Sequence, residues 1–178
     1  MSDLGPEWIP DQDGIPFRRA ARVAVFDEDG KLLLVRGHDS ENVRRSWWFT
    51  TGGGQEEGET LQQTAVREIR EETGIALDPT RLVGPVLHRR ALFDFLNVTA
   101  RQEEWFFVAH VHRTELNWDG WTELERSVLD TMTWWDLDDL EAESRRAEVY
   151  PRDLVAMARQ WKDGWDGTMI ELDESSVG

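Results

Sequence analysis

The stretch from Thr60 to Gly74 constrains the fold more strongly than any other part of this sequence. Thr60 and Gln63 have the spacing of a capping box, and Gly74 stands where a helix normally stops, so residues 60–73 are predicted to form a helix. With about 100° of rotation per residue, its apolar side chains fall on one arc: Leu61, Ala65, Val66 and Ile69. That arc must be the buried face of the helix.

Three carboxylates on the same helix border the apolar arc instead of lying opposite it. Glu68 is three residues from Glu71 and four from Glu72, and each of these like-charge pairs costs roughly 0.2–0.5 kcal/mol. Glu71 and Glu72 also lie in the last turn, where the helix dipole disfavours negative charge by roughly 0.3–1 kcal/mol each. Arg67 relieves part of this repulsion. A hard divalent cation would compensate for the rest, because such ions prefer carboxylate oxygens; the alternative is a solvated, arginine-laced face.

The overall charge limits the ligands that the chain can hold. A formal net charge of −16 argues against nucleic-acid polymers as partners, because these are bound through an excess of Lys and Arg. A protein this acidic that handles phosphate groups needs local cations, which clustered arginines, metal ions or both would supply.

The composition also indicates a compartment. The sequence has no cysteine, so disulfides and thiolate metal sites are excluded and a reducing compartment is expected. Residues 1–10 lack the pattern of a secretory signal. No apolar run approaches the roughly 20 residues of a membrane span. We therefore expect a cytoplasmic protein without membrane contact.

The remaining segments predict a mixed sheet with helices on its faces. Residues 21–26 and 31–36 have strand character and are joined by a tight Asp-Gly turn, which predicts a hairpin. Further strand-like runs follow along the chain: 82–87, 91–96, 105–111 and 132–137. Residues 154–161 have helical spacing and are expected to pack on the sheet.

No internal repeat and no long linker divides the chain. We expect a lead-in over residues 1–18 with little regular structure, a single domain over 19–163, and an acidic, flexible tail over 164–178.

Residues 53–75 contain a pattern that resembles the Nudix box. Its glycine and glutamate positions are filled by Gly53 and Glu59, and its helical part reads Arg67-Glu68-Ile69, one residue, Glu71-Glu72, one residue, Gly74-Ile75. Every specified position matches, so the signal is strong. The resemblance covers about residues 19–140 and implies an α/β/α sandwich, an α/β fold with a mixed sheet, in a hydrolase that cleaves pyrophosphate bonds.

The resemblance also implies roles for individual residues. Glu68, Glu71 and Glu72 would hold Mg²⁺ or Mn²⁺, with a backbone carbonyl from Gly52. Arg67 would orient the carboxylates. Glu68 is our choice of general base. Structural roles would fall to Gly53, Glu59 and Gly74.

A further acidic ligand from outside the box is common in this family. Glu104, with its neighbour Glu103, is our first candidate because the pair precedes a predicted strand, and Glu125 is the second. An exposed pair at the end of a strand, without any ligand, explains Glu103 and Glu104 equally well.

Substrate contacts are harder to assign from the sequence. Trp47 and Trp48 adjoin the glycine loop. Strand alternation would turn one of them into the core and leave the other free to stack on a base of the substrate. We take Trp48 as the candidate for this substrate contact. Arg36 is a candidate phosphate contact, although a structural ion pair explains it as well.

The expected substrate is a small nucleoside-diphosphate compound, cleaved by water attack at phosphorus. The alternative function is a non-catalytic Nudix fold that senses a nucleotide, and a homodimer stays open.

Overall fold

A computed structural model describes residues 4–39, 42–95 and 98–175. The described residues form a nine-stranded mixed sheet with helices on both faces. Its strands are β1 (Ile9–Pro10), β2 (Pro16–Phe26), β3 (Leu32–His38), β4 (Ser46–Gly54), β5 (Val83–Phe95), β6 (Val98–His110), β7 (Leu129–Trp135), β8 (Glu148–Tyr150) and β9 (Ile170–Ser175). The helices are α1 (Leu61–Thr73), α2 (Glu123–Val128), α3 (Leu137–Glu143) and α4 (Leu154–Asp163), with a 3-10 turn at Pro79–Arg81.

The strand order across the sheet is β7-β3-β4-β2-β6-β5-β9. β2 lies at its centre, antiparallel to β4 and parallel to β6 over ten residue pairs from Phe17↔Arg101 to Phe26↔His110. β1 pairs with β2, and β8 runs parallel to β4. This arrangement places the glycine-rich end of β4 beside the middle of β2.

The predicted hairpin is present, and a buried carboxylate holds its turn. Phe26 pairs with Leu32 across the turn. The Asp27 side chain accepts hydrogen bonds from the backbone N–H groups of Asp29 at 2.9 Å and Lys31 at 2.8 Å. Arg113 forms an ion pair with the same carboxylate at 2.5 Å. Because Asp27 is fully satisfied, its burial is compatible with a stable fold.

Helix α1 begins and ends as its sequence predicts. The Thr60 side chain and the Gln63 side chain form a reciprocal capping box, and Gly74 adopts the left-handed conformation (φ 79°) that ends the helix. The apolar face of α1 packs on one face of the sheet, through Ala65 and Ile69. Helices α3 and α4 cover the opposite face, where Leu140, Leu154 and Trp161 contribute to the second core. The predicted α/β/α sandwich is therefore confirmed.

Several element boundaries differ from the sequence prediction. The predicted runs 82–87 and 91–96 belong to one strand, β5, because residues 88–90 between them also pair with β6. Residue 96 lies outside the described residues. The last predicted strand ends at Trp135 instead of residue 137, because Asp136 caps α3 with its side chain. The short helices α2 and α3 were not predicted.

Both ends of the chain contain more structure than expected. The predicted lead-in holds β1 and the first residues of β2, and Leu4 and Trp8 are buried. The predicted flexible tail contains β9, which pairs in parallel with β5. Its acidic side chains have cationic partners, as Glu174 forms an ion pair with Arg89 at 2.9 Å. Residues 1–3 and 176–178 lie outside the described residues. In the part of the chain that is described, no helix is long and apolar enough to span a bilayer.

Candidate active site

A cavity of about 420 Å³ opens where α1 meets the glycine-rich end of β4. Its walls include residues of α1, of strands β2, β4, β5 and β6, of α2 and of the N-terminal segment. The three carboxylates of the box helix line it: Glu68, Glu71 and Glu72. The structure thus brings together the residues that the sequence singled out as unfavourable on a helix.

Two glycines let the carboxylates of α1 approach the end of β4. Gly52 has a φ of 142°, and a Cβ atom there would overlap the backbone of Ala21. A Cβ atom on Gly53 would overlap the carboxylate of Glu68. The backbone N–H of Gly52 donates to the Glu72 carboxylate at 2.9 Å. The residue types at positions 52 and 53 are therefore set by the backbone and by the close approach of the acidic helix.

Burial gives the acidic cluster unusual electrostatics. The pKa of Glu72 is raised to about 8: burial is the main cause and the charges of Glu68 and Glu125 add to it, while the Gly52 N–H and Arg22 oppose it. Burial also raises the pKa of Glu68, although Arg67 opposes the shift. Two carboxyl groups with raised pKa values in one cavity mark a site whose charged form lacks sufficient compensation.

Arg67 connects the loop of the box to the helix. Its Nη2 atom donates to Glu59 and to the Gly54 carbonyl, both at 2.9 Å. Its Nη1 atom donates to Glu68 at 2.9 Å and to Glu71 at 3.2 Å. The Glu59 carboxylate also accepts the backbone N–H of Glu56 at 3.0 Å, which closes the loop. Arg67 thus holds two of the three cluster carboxylates in place.

The three candidate ligands outside the box lie in different environments. Glu104 lines the cavity but is buried between Arg22 and Arg89, at 3.0 Å and 2.9 Å. Burial alone would raise the pKa of Glu104, but the two arginines outweigh it and hold the pKa below its usual value. Glu103 instead faces His88 at 3.4 Å. Glu125, on α2, lines the cavity and influences Glu72.

The donor set of the cavity fits a hard divalent ion in its chemistry. Carboxylate oxygens of Glu68, Glu71 and Glu72 and the Gly52 carbonyl are the ligand types that Mg²⁺ and Mn²⁺ prefer. Within residues 4–39, 42–95 and 98–175, however, no three acidic or histidine side chains converge closely enough to hold an ion as they stand. Glu68 and Glu71 are turned towards Arg67, so a shared ion would require these side chains to rotate.

Two predicted substrate contacts lie away from the cavity. Trp48 is buried in the core on the α3 and α4 side of the sheet, edge-on to Trp135 at 5.1 Å between ring centroids. Arg36 is exposed and donates to the Ser46 hydroxyl at 3.2 Å. Trp47, on the other face of β4, lines the cavity instead. The sequence predicted the alternation but not the direction.

Two arginines of β2 were missed as cavity residues. Arg18 and Arg22 both line the cavity, and Arg22 donates to the carbonyls of Gly52 and Thr50 at 3.3 Å. The feature of the sequence that could have indicated them is their spacing of four residues on a strand, which places Arg18 and Arg22 on the same face of β2. Clustered arginines were expected of an acidic protein that handles phosphate, but their positions depend on the pairing of β2 with β4 and β6.

The fold and the site together define an α/β/α sandwich with an acidic helix at the mouth of its cavity. The family model of the NUDIX domain matches residues 16–153. The chain therefore belongs to the NUDIX domain family, and the resemblance found in the sequence is confirmed.

Comparisons with known proteins agree with this assignment. The uncharacterized Nudix hydrolase YvcI of Bacillus subtilis is 40% identical over 60 residues, which cover 34% of this chain and 35% of that protein. An RNA pyrophosphohydrolase of Sphingopyxis alaskensis is 26% identical over 153 residues, 86% of this chain and 82% of that protein. The crystal structure of a MutT protein from Bacillus halodurans has a TM-score of 0.57 at 20% identity and covers 89% of this chain and 91% of its own, a likeness of fold. The match to YvcI spans about a third of that relative.

Proposed function

We propose that this protein is a divalent-metal-dependent hydrolase that cleaves a pyrophosphate bond in a small nucleoside-diphosphate compound. The observation that carries the proposal is the acidic cluster at the wall of the cavity, in which Glu72 is buried and burial raises its pKa to about 8. Burying a carboxylate in this way is unfavourable for the fold, and local rules of this kind are broken mainly at functional sites. The family membership and the relative named as an RNA pyrophosphohydrolase support the same reaction class.

The residues that would hold the ion are Glu68, Glu71 and Glu72, with the carbonyl of Gly52. A carbonyl oxygen has two lone pairs, so the Gly52 carbonyl can accept from Arg22 and still serve as a ligand. A bound Mg²⁺ or Mn²⁺ would neutralise phosphate oxygens and make a water acidic enough to attack phosphorus.

Proton transfer is assigned to Glu68. Its carboxylate lies against Gly53, and burial raises its pKa towards the range in which a general base is most effective. Arg67 would orient Glu68 and Glu71 through the hydrogen bonds that it makes to both.

Among the outside carboxylates we favour Glu125 as an additional oxygen ligand over Glu104. Glu104 accepts hydrogen bonds from Arg22, Arg89 and Gln102, which leave it little capacity for an ion. Glu125 is less buried and lies close enough to Glu72 to influence its pKa. We assign Glu104 the role of holding Arg22 and Arg89 at the cavity wall.

The proposal is tested by product release from a panel of nucleoside-diphosphate compounds, with Mg²⁺, with Mn²⁺ and in excess chelator. We expect turnover with an ion and none in chelator. Glu71→Gln should lower the rate by at least about ten-fold, because it removes an oxygen ligand. Glu57→Gln removes the same charge from an exposed position in the same segment and should leave the rate unchanged. Full turnover in chelator would rule out the mechanism.

Hydrolysis in ¹⁸O-labelled water identifies the attacked atom. We expect the label on phosphorus in one product, because the cavity presents carboxylates that activate a water and no cysteine nucleophile. A label on carbon, or a trapped covalent intermediate, would contradict the assigned reaction. The alternative function, a nucleotide sensor, is indicated if no panel member turns over with either ion while a nucleotide still binds.

A further inference from the structure

Arg18, on β2, is a largely buried cation in the wall of the cavity. Its side chain is 17% exposed. Its Nε atom donates to the amide oxygen of Gln102, a neutral partner. Its guanidinium lies over the ring of Trp8, 4.4 Å from the centroid. The carboxylate that faces it belongs to Glu7, at 3.3 Å, and that side chain is 30% exposed.

The charge of Arg18 is less well compensated than the charge of its neighbour Arg22. Arg22 forms an ion pair with the buried Glu104 at 3.0 Å. Arg18 instead has burial and the charge of Arg22 against it, and together these lower its pKa to about 10 despite the attraction of Glu7. A buried guanidinium in this situation gains more from an anion than a fully paired one does.

Arg18 also adjoins the glycine loop of the box. A Cβ atom on Gly54 would lie 3.2 Å from the Arg18 Nη1 atom and 3.1 Å from the Glu7 Cγ atom. Glu68 is close enough to attract the Arg18 charge. Arg18 and the acidic cluster therefore line the same cavity, and the absence of a side chain at Gly54 makes room for the Glu7 and Arg18 side chains.

We propose that Arg18 is the cavity's anion subsite for a phosphate group of the substrate, and that the Glu7 carboxylate pairs with this guanidinium until the phosphate group displaces it. The inference rests on the proposed function, because it assigns a phosphate group of the same substrate. It adds that residues before the family match, which begins at residue 16, contribute an internal competitor to the site.

The position of Glu7 supports this exchange. Leu4 and Trp8 are buried and pack with Ala100 and with Phe93, so the N-terminal segment is anchored on both sides of Glu7. Glu7 itself is only partly buried, so its carboxylate can turn to solvent without exposing the anchors. A phosphate group carries up to two negative charges and accepts paired guanidinium hydrogen bonds, so it competes effectively with a single carboxylate.

The test is the binding of inorganic pyrophosphate by isothermal titration calorimetry in excess chelator, which separates the subsite from any metal ion. Arg18→Gln should weaken binding by at least about ten-fold, the loss expected for a charge-assisted hydrogen bond. Glu7→Gln should tighten binding by about two- to five-fold, because it removes a partly exposed competitor. The double variant should bind as weakly as Arg18→Gln alone.

Matched controls separate this effect from net charge. Arg19→Gln removes the same charge from the next residue, which is exposed and lies near Trp105. Asp13→Asn removes an exposed carboxylate from the N-terminal region. Both should leave pyrophosphate affinity nearly unchanged. If Arg18→Gln fails to fold by circular dichroism, Arg18→Lys keeps the charge without the paired donors and should bind more weakly than the wild type.

Three results would overturn the subsite: unchanged affinity in the folded Arg18 variant, weaker binding in Glu7→Gln, or no measurable binding by Glu7→Gln at millimolar pyrophosphate. These results are independent of turnover. Hydrolysis that fails while pyrophosphate binds as expected refutes the proposed function and leaves the subsite standing. Hydrolysis that proceeds with unchanged binding in the Arg18 variant refutes the subsite alone.

Discussion

Replacing Glu72 by glutamine separates the stability of the fold from the chemistry of the site. Burial raises the pKa of Glu72 from 4.5 to about 8. Between those values the folded protein keeps a proton that the unfolded chain has released, so the wild type loses stability as the pH rises. The slope is up to about 1.4 kcal/mol per pH unit, or about 4 kcal/mol as an upper limit over three units. Glutamine cannot ionise and has no such slope.

The geometry indicates that the substitution is tolerated. The Glu72 carboxylate accepts the Gly52 N–H at 2.9 Å, and an amide oxygen of glutamine can accept the same bond. Glu72→Gln also removes the repulsion from Glu68 and the unfavourable interaction with the helix dipole. In chelator we therefore expect Glu72→Gln to equal the wild type near pH 5 and to be more stable by a few kcal/mol near pH 8.

The assay is urea denaturation of both proteins in excess chelator at several pH values, with Glu57→Gln as the exposed control that should follow the wild type. Mg²⁺ should then stabilise the wild type more than Glu72→Gln, because an ion that binds only the folded state adds stability by mass action. The activity of the variant should fall by orders of magnitude. A stability difference that does not change with pH, or a variant that keeps its rate, would refute this account of the acidic helix.

Two further predictions concern stability and substrate contact elsewhere. Trp48→Ala should cost roughly 3–5 kcal/mol of unfolding free energy because it empties a core position. Trp47→Ala should leave stability nearly unchanged and raise KM. Thermal unfolding and steady-state kinetics distinguish the two variants, and equal effects would contradict the assigned faces of β4. At Asp27, burial alone would raise the pKa, but hydrogen bonds from Lys31, Arg113 and Asp29 outweigh it and lower it. The stabilisation from Asp27 is therefore present above the ordinary pKa and lost as the pH falls through the lowered value. Asp27→Asn should cost about 1–3 kcal/mol near neutral pH and less in acid, and a cost that grows on acidification would refute the lowered pKa.

The parts of the site that could be predicted from the sequence are those carried by local spacing. The capping box, Gly74 and the three carboxylates all belong to one continuous segment, so helix geometry alone places them. The hairpin was predictable for the same reason, since its turn chemistry lies between adjacent strands. These features needed no knowledge of which strands pair.

The parts that could not be predicted depend on pairing between distant segments. Trp47 and Trp48 alternate on any strand, but which of them is buried in the core and which lines the cavity depends on the elements that pack against β4. Helices cover both faces of the sheet, so either tryptophan could have been the core residue. Strand β9 was missed because its acidic residues resemble a solvated tail until Arg89 supplies a partner from β5.

The same dependence on distant pairing places three arginines in the wall of the cavity of a strongly acidic chain. Glu104 holds Arg22 and Arg89 together, and Glu174 from β9 takes the other side of Arg89. Arg22 and Arg89 are each paired with a carboxylate that is about as buried as the arginine itself. This row of ion pairs therefore fixes the geometry of the wall while adding little positive potential to the cavity. Arg18 stands at the end of the row, where its nearest carboxylate is partly exposed and belongs to a separate segment. Of these three arginines, Arg18 is the least compensated, and it is therefore the one at which we expect an incoming anion to gain most.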